Sequence, residues 1–442
     1  MSNQVPLLKK VLKPTHLWAI AVGLVISGEY FGWNYGWSKA GTIGFLIATV
    51  VITVLYVTFI FSFTELTTAV PHAGGPFAYA FRALGATGAL CAGYATLIEF
   101  LFAAPAIAFA LGSYVHFLYP PIPVMGTAVG SYVLFTGVNL LGIKESARFT
   151  LAVTVLAVLE LLVYFSIIGP SFQSANFLNH GTTGGAWGIF AALPFAIWLY
   201  VCIEGVAMVA EETENVKKDI PLGYISGILT LMVLALAVMI LTGGITDWRT
   251  LSNIDYPLPQ SIAIVRGAAN PLTKVFAGIG LFGLVASFHG IIISYSRQIF
   301  ALSRSRYLPP ILSRVHPRFQ TPHLALAAGG LIGLVALRYF DTNNLVILST
   351  LGAVVLYILS MVSLFVLRKK EPGLERPFKA PFYPYFPAIA LVLSVVAGLS
   401  IIWFYPFLSG LFFAGLGVLL IFFFLSGRHK QRIDDDVSFQ LT

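Results

Sequence analysis

The sequence predicts an all-α integral membrane protein with twelve transmembrane helices, arranged as two inverted five-helix repeats followed by two further helices. Hydrophobic residues make up 58% of the 442 residues and charged residues 10%. A water-soluble protein of this composition could not bury its apolar surface away from water. Apolar runs of about 17 to 25 residues, the length that crosses a bilayer, recur along the chain. Basic residues cluster on one side of these runs, as they do in the cytoplasmic loops of membrane proteins.

The apolar runs place the spans in chain order. They are 16–37, 42–69, 86–118, 123–142, 148–169, 187–210, 222–243, 271–303, 323–339, 343–367, 384–404 and 407–426. The connections between them are too short to fold as a soluble domain. The predicted division is a cytoplasmic N-terminal segment 1–15, a first repeat 16–169, a second repeat 187–370, a Pro-rich cytoplasmic linker 371–387, helices eleven and twelve within 384–426, and a cytoplasmic tail 427–442.

The basic residues orient these spans. An even number of spans puts both termini on the same side of the membrane. Of the 26 Lys and Arg residues, all fall on that side except Lys39, Arg249, Arg266, Lys274 and Arg338. Because positive charge marks the cytoplasmic side, we expect both termini to be cytoplasmic in a cytoplasmic-membrane protein.

Two apolar stretches contain a carboxylate and glycine. The first, 23–36, holds Glu29 and four glycines, and the second, 200–205, holds Glu204 and Gly205. Glycine weakens a helix and a carboxylate in hydrocarbon needs a partner or water, so we expect helix one to break near residues 27–29. Broken helices at matching places in two halves indicate a transporter's midplane binding site, and halves of five helices must be inverted.

Other classes of protein are not indicated, except that a sensor that binds substrate without transporting it stays open as an alternative. Cys91 and Cys202 both lie in apolar runs, so neither a disulfide framework nor a zinc site is predicted. The net charge of +8 does not form one continuous face, so no nucleic-acid partner is expected. The sequence contains neither a His-Glu-x-x-His pair nor a nucleophile-elbow pattern, so we expect no enzyme activity, cofactor or metal.

Several segments resemble a known family, the amino acid, polyamine and organocation permease superfamily. The similar segments are TELTTAVPHAGGPFAY (64–79), AEET (210–213) with IP (220–221), and SR (296–297) with LSR (302–304) and LP (308–309). Within it, VISGEYFGWNYG (25–36) and FAIWLY (195–200) with EGVAM (204–208) are most similar to ethanolamine permeases. The resemblance implies a leucine-transporter-like fold with discontinuous helices one and six, and secondary transport by alternating access.

The resemblance also implies a substrate. Amino acid carriers of the superfamily usually have Gly-Ser-Gly at the break in helix one, where free amides hold the substrate carboxylate. Here Ser27, Gly28 and Glu29 occupy the matching positions. A carboxylate in place of the last glycine repels an amino acid's carboxylate and attracts an ammonium group. The expected substrate is therefore ethanolamine or a related organic cation; the alternatives left open are an amino acid permease or exchanger, and a Glu29 that only bonds a neighbouring helix.

The candidate substrate-binding residues surround the two expected breaks. They are Ser27, Gly28, Glu29, Tyr30, Trp198, Tyr200, Ile203, Glu204 and Gly205. Aromatic faces attract cations, so the aromatic members are expected to form part of a cage, although any one aromatic residue more often packs against protein or faces lipid. For Glu204 three roles stay open: a second ammonium ligand, a proton-linked gate, and a buried neutral acid.

Further ionisable residues in or beside the spans are candidates for gating or coupling. They are Glu65, Glu99, Glu160 and His289. Glu65 is expected to meet an arginine such as Arg82 or Arg297. Sodium-independent members often carry a lysine in helix five, and this chain has none there, so the coupling ion stays open between membrane potential alone and H⁺ coupling.

Overall fold

The computed structural model describes residues 10–141, 147–179 and 181–427. The first residues of the predicted N-terminal segment, 1–9, and the tail 428–442 with its acidic run lie outside the described residues. The described chain folds into helices joined by loops, with one backbone bridge between Leu12 and Thr213. Among the described residues, nine helices are long and apolar enough to cross a membrane.

The helices follow the predicted spans closely. In chain order they are α1 Pro14–Val25, α2 Ser27–Tyr30, α3 Trp37–Ala69, α4 Pro76–Leu118, α5 Val124–Leu140, α6 Ala147–Ile168, α7 Ser174–Leu178, α8 Gly185–Trp198, α9 Val216–Gly243, α10 Pro257–Arg266, α11 Pro271–Arg304, α12 His323–Tyr339, α13 Thr342–Lys370, α14 Tyr385–Phe404 and α15 Pro406–Leu425. Two 3-10 segments, Trp33–Gly36 and Ile203–Glu212, follow the ends of α2 and α8. Residues 371–384, called the strap below, connect α13 to α14 without a helix.

The first interruption lies just after the expected residues 27–29. Ile26, between α1 and α2, keeps helical angles, and the backbone leaves helical geometry only at Phe31, which is extended, and at Gly32, which has φ of +89°. A Cβ atom at Gly32 would clash with the indole of Trp198. Glycine is therefore required at position 32 both for the backbone angle and for the close approach.

The second interruption follows α8. The backbone turns through residues 199–202, and Cys202 adopts a left-handed conformation with φ of +74° before the 3-10 segment begins. A positive φ is uncommon for a residue other than glycine. The surrounding contacts must therefore hold Cys202 in place, and they are described with the site.

The two interrupted helices lie inside the bundle. Helix α1 packs against α9, α6 and α11, while α8 packs against α3, α13 and α14. Their large side chains Trp33, Trp198 and Tyr200 are fully buried. The outer helices expose apolar side chains instead, such as Phe407 and Leu425 on α15. Such apolar outer surfaces suit contact with lipid rather than water.

Helix α4 begins earlier than predicted. The sequence places the third span at 86–118, whereas the helix starts at Pro76 and is interrupted at Gly85, where φ is +77°. Proline at the first helical position favours a helix start, because it has no amide hydrogen to leave unsatisfied. Residues 76–84 therefore form a helical segment that the apolar pattern did not predict.

Candidate functional site

Glu29 is the most unusual side chain of the interior. It lies on α2, it is 0% exposed, and neither of its carboxylate oxygens has a hydrogen-bond partner among the described residues. Its carbonyl oxygen accepts a hydrogen bond of 3.0 Å from Trp33 Nε1, which fixes the backbone. A buried carboxylate without a partner is costly, so this position requires a positive charge, a proton or water.

Close contacts hold the backbone around Glu29. A Cβ atom at Gly28 would clash with the carbonyl oxygen of Trp198, so the two interrupted helices touch here. Trp198 Nε1 also donates to Phe31 O at 2.9 Å. On the other side, Ser27 Oγ lies 2.8 Å from Ser287 Oγ on α11. Ser27 and Gly28 are therefore contact points between helices at the position of the charge.

The predicted aromatic residues have defined polar partners. Tyr30 donates to Glu160 Oε2 at 2.8 Å, so its hydroxyl is directed towards α6. Tyr200 hydroxyl lies 2.7 Å from Thr53 Oγ1 on α3. Glu29 is near enough to both tyrosines to interact with them electrostatically. The structure thus brings Tyr30 and Tyr200 to the surroundings of Glu29.

Glu204 belongs to a second acidic group. Its Oε2 accepts a hydrogen bond of 3.2 Å from Tyr357 on α13. Glu99 on α4 accepts a hydrogen bond of 3.0 Å from the amide of Cys202, and its carboxyl group lies beside that of Glu204. Both glutamates are 0% exposed. The partners of Glu204 therefore come from α4 and α13.

A cavity of about 180 Å³ lies between α1, α6, α11 and the segment after the second interruption. Leu24 and Gly205 line its inner end, beside the two interruptions. Leu12, Glu212 and Arg297 line its other end, on the side of the N-terminal residues, where Arg297 and Glu212 form an ion pair of 3.3 Å. The cavity therefore leads from the interrupted helices to the side of the molecule that carries the N-terminal residues.

The remaining predicted residues contact other partners than Glu29. Ile203 is fully buried, and Gly205 packs against Leu24, since a Cβ atom there would lie 2.6 Å from that side chain. Glu160 is 5% exposed and bonds Tyr30. His289 Nδ1 lies 3.1 Å from Asn139 Nδ2, which ties α11 to α5.

Glu65 does meet arginine, but not at the two positions named from the sequence. Its carboxylate accepts hydrogen bonds from Arg368 at 2.8 and 2.6 Å and from the amide of Ala380 at 2.7 Å, and Arg376 lies at 3.3 Å. The two arginines expected from the sequence pair elsewhere, Arg82 with Glu371 and Arg297 with Glu212. Glu65 therefore anchors the strap to α3.

One polar group was missed by sequence reasoning. Asp255, in the loop before α10, accepts from Tyr35 at 2.8 Å and from Thr342 at 3.0 Å. Burial raises the pKa of Asp255 from 3.8 to about 6. This cluster joins the end of the first interrupted helix to the start of α13, on the side opposite the cavity mouth. A lone aspartate in a loop gives no sequence signal for such a role.

No group of three His, Cys, Asp or Glu side chains that could hold a metal ion occurs within residues 10–141, 147–179 and 181–427.

Comparison with known proteins identifies the family. Residues 12–427 match the model of the amino acid permease family. The chain is 30% identical to an uncharacterized transporter of Rhizobium meliloti over 88% of this chain and 86% of that protein. It is 25% identical to the branched-chain amino acid permease BcaP of Bacillus subtilis, over 96% and 94% of the two chains. It is also 25% identical to the methylthioribose transporter of the same organism, over 84% of each.

These relatives are named as transporters rather than enzymes. The protein is therefore a membrane transporter and belongs to the amino acid permease family, within the amino acid, polyamine and organocation superfamily.

Proposed function

We propose that the protein is a secondary active transporter that imports ethanolamine, or a closely related amino-alcohol cation, across the cytoplasmic membrane by alternating access. One observation carries the proposal: the fully buried carboxylate of Glu29, which no described residue satisfies, at the contact between the two interrupted helices. A carrier whose substrate is a cation has a use for such a charge.

The proposed architecture has twelve spans and an inverted repeat. The nine long helices, the two shorter apolar helices α5 and α12, and the interrupted α1 together make twelve. The interrupted helices are the first helix of each proposed repeat. Placing both termini in the cytoplasm follows from the distribution of basic residues.

The charge of Glu29 favours an ammonium group. A unit charge about 4 Å from the carboxylate gains about 4 kcal/mol at an effective dielectric constant of about 20. A substrate carboxylate at that place loses a similar amount. Ethanolamine has an ammonium and a hydroxyl but no carboxylate, so its chemistry matches the site better than that of an amino acid does.

The alternative is an amino acid permease or exchanger. The branched-chain amino acid permease BcaP among the relatives favours it. In that case Glu29 is protonated, and the free amides at the interrupted helices bind a carboxylate.

The cavity supports an inward-facing state as part of the proposal. Its lining runs from Leu24 and Gly205, beside the interruptions, to Leu12 and Arg297 on the side that we assign to the cytoplasm, and Glu29 is not among its lining residues. Uptake of a cation gains about 2.3 kcal/mol per charge for each 100 mV of inside-negative potential. The membrane potential is therefore sufficient to drive import, and coupled proton movement would add to it.

Competition in proteoliposomes tests the substrate class. Liposomes loaded with unlabelled ethanolamine are assayed for uptake of radiolabelled ethanolamine by counterflow, with excess external ethanolamine, choline, alanine or leucine. We expect ethanolamine to abolish the signal and alanine and leucine to leave it unchanged. Glu29→Gln should abolish the uptake, whereas Glu371→Gln, a surface substitution that serves as the matched control, should retain it. Strong competition by leucine or alanine would support the amino acid alternative instead.

A further inference from the structure

Two carboxyl groups meet at the second interruption. Glu99 comes from the middle of α4 and Glu204 from the 3-10 segment that follows Cys202, and both are 0% exposed. Their side chains are close enough to interact through a hydrogen bond. The other oxygen of each group has a donor, since Glu99 Oε1 accepts from the Cys202 amide and Glu204 Oε2 from Tyr357.

The second oxygen of each carboxyl group, Glu99 Oε2 and Glu204 Oε1, has no hydrogen-bond donor among the described residues. No basic side chain described in the structure forms an ion pair with either group. The titratable neighbours are Tyr56 on α3, Cys202, Tyr224 on α9 and Tyr357, which are neutral in their protonated forms. Two adjacent carboxylates in such surroundings cannot both be ionised.

We propose that Glu99 and Glu204 form an acid pair that holds one shared proton and serves as the proton-binding site of the transport cycle. One proton shared between the two adjacent carboxyl groups gives them a hydrogen bond to each other, which neither group has with any other described donor beyond Cys202 and Tyr357. The pair then carries one negative charge instead of two, and Cys202 and Tyr357 stabilise that charge from either side. The role in transport rests on the proposed function, whereas the shared proton does not.

The pair is placed to act on the interrupted helix. Glu99 accepts a hydrogen bond from the amide of Cys202, the residue with the left-handed backbone. The Tyr357 hydroxyl, which is bonded to Glu204, also lies 2.9 Å from the Tyr56 hydroxyl. Tyr56 in turn donates to Ile197 O at the end of α8. Loss of the shared proton sets two negative charges against each other. The repulsion pushes the two carboxyl groups apart. Because Glu99 stays bonded to the Cys202 amide, this separation moves the interruption, which links proton release to movement of the helix.

Infrared difference spectroscopy of the reconstituted protein during a pH titration, without any substrate, tests the pair. The neutral carboxyl group has a C=O stretching band that the carboxylate lacks. Other buried carboxyl groups, such as Asp255, also titrate. We therefore expect wild type to lose, among the bands that disappear as pH rises, one band that Glu99→Gln and Glu204→Gln each abolish. Because one proton serves both groups, the double variant should lose no more than either single variant. Glu160→Gln, another buried carboxyl substitution, should leave the band of the pair in place.

Several results would overturn the proposal: a band that survives in either single variant, or losses that add in the double variant. Tyr357→Phe keeps both carboxyl groups and therefore serves if the glutamine variants fail to fold. It should shift the frequency of the band, because Glu204 loses a hydrogen bond, and an unshifted band would count against the pair. Since no ethanolamine is present, a negative result here is distinguishable from failure of the proposed substrate.

Discussion

Replacing Glu65 by glutamine should detach the strap from α3. The Glu65 side chain is 2% exposed and accepts hydrogen bonds from Arg368 and from the amide of Ala380, with Arg376 at 3.3 Å. Arg376 in turn donates to the carbonyl oxygens of Leu367 and Leu374. The carboxylate is thus the shared acceptor that joins α3, the end of α13 and the strap.

The size of the effect follows from burial. Removing one partner of a buried ion pair costs about 3 to 5 kcal/mol, because the other charge is left uncompensated. The Arg376 side chain is 9% exposed and that of Arg368 is 22% exposed, so water relieves part of this penalty. We expect Glu65→Gln to lower the free energy of unfolding by about 2 to 3 kcal/mol.

A matched substitution separates burial from charge. Glu371 pairs with Arg82 at 2.6 Å, but their side chains are 34% and 31% exposed, so Glu371→Gln should cost about 0 to 1 kcal/mol. Unfolding equilibria of both variants in mixed detergent micelles measure the difference, and limited proteolysis reports cleavage within the strap. Equal losses for the two variants, or a strap that stays protected in Glu65→Gln, would refute the reasoning.

Two further predictions concern the interrupted helix and the opposite side of the protein. Gly28→Ala should lower stability by about 1 to 3 kcal/mol and slow uptake, because its Cβ would clash with Trp198; Gly130→Ala, with open space around it, is the control. Burial raises the pKa of Asp255 from 3.8 to about 6, so its protonated form stabilises this cluster below about pH 4. That stability is lost as pH rises through 6, because a desolvated carboxylate forms even though Tyr35 and Thr342 donate hydrogen bonds to it. Asp255→Asn should remove that pH dependence, as seen in hydrogen exchange of residues 251–257 corrected for intrinsic rates.

Much of the helical framework follows from the sequence, because hydrophobic run length limits where a span can lie. The spans expected at 323–339 and 384–404 differ from α12 and α14 by at most one residue. The stretch expected to be interrupted at 200–205 contains Cys202 with its left-handed backbone. The twelve-span count and the inverted repeat stay predictions.

The local backbone geometry was harder to predict from the sequence. Four glycines near Glu29 predict a weak helix, but they do not tell which glycine bends the backbone and which permits close packing. In the structure Gly32 has the positive φ, whereas Gly28 is helical and lies against Trp198. The amino acid type is the same, and only the neighbouring helix distinguishes the roles.

Partners distant in sequence could not be predicted either. Glu65 on α3 pairs with Arg368 on α13, and Glu204 in the segment after α8 lies beside Glu99 on α4, because the fold packs these elements together. Nothing in the local sequence specifies which elements pack together. The sequence identified the buried carboxylates as candidates, since such residues are rare in spans, but not their pairing.

Accumulation of radiolabelled ethanolamine by proteoliposomes under an imposed inside-negative potential tests the central claim most directly, with wild type beside Glu29→Gln. Wild type should concentrate ethanolamine, by up to about 50-fold at 100 mV when one charge moves with each molecule. The variant, whose size-exclusion profile should match that of wild type, should show no accumulation of ethanolamine. If neither protein moves ethanolamine while wild type exchanges amino acids, Glu29 does not select an organic cation, and the carboxylate-binding site of an amino acid permease is the better account.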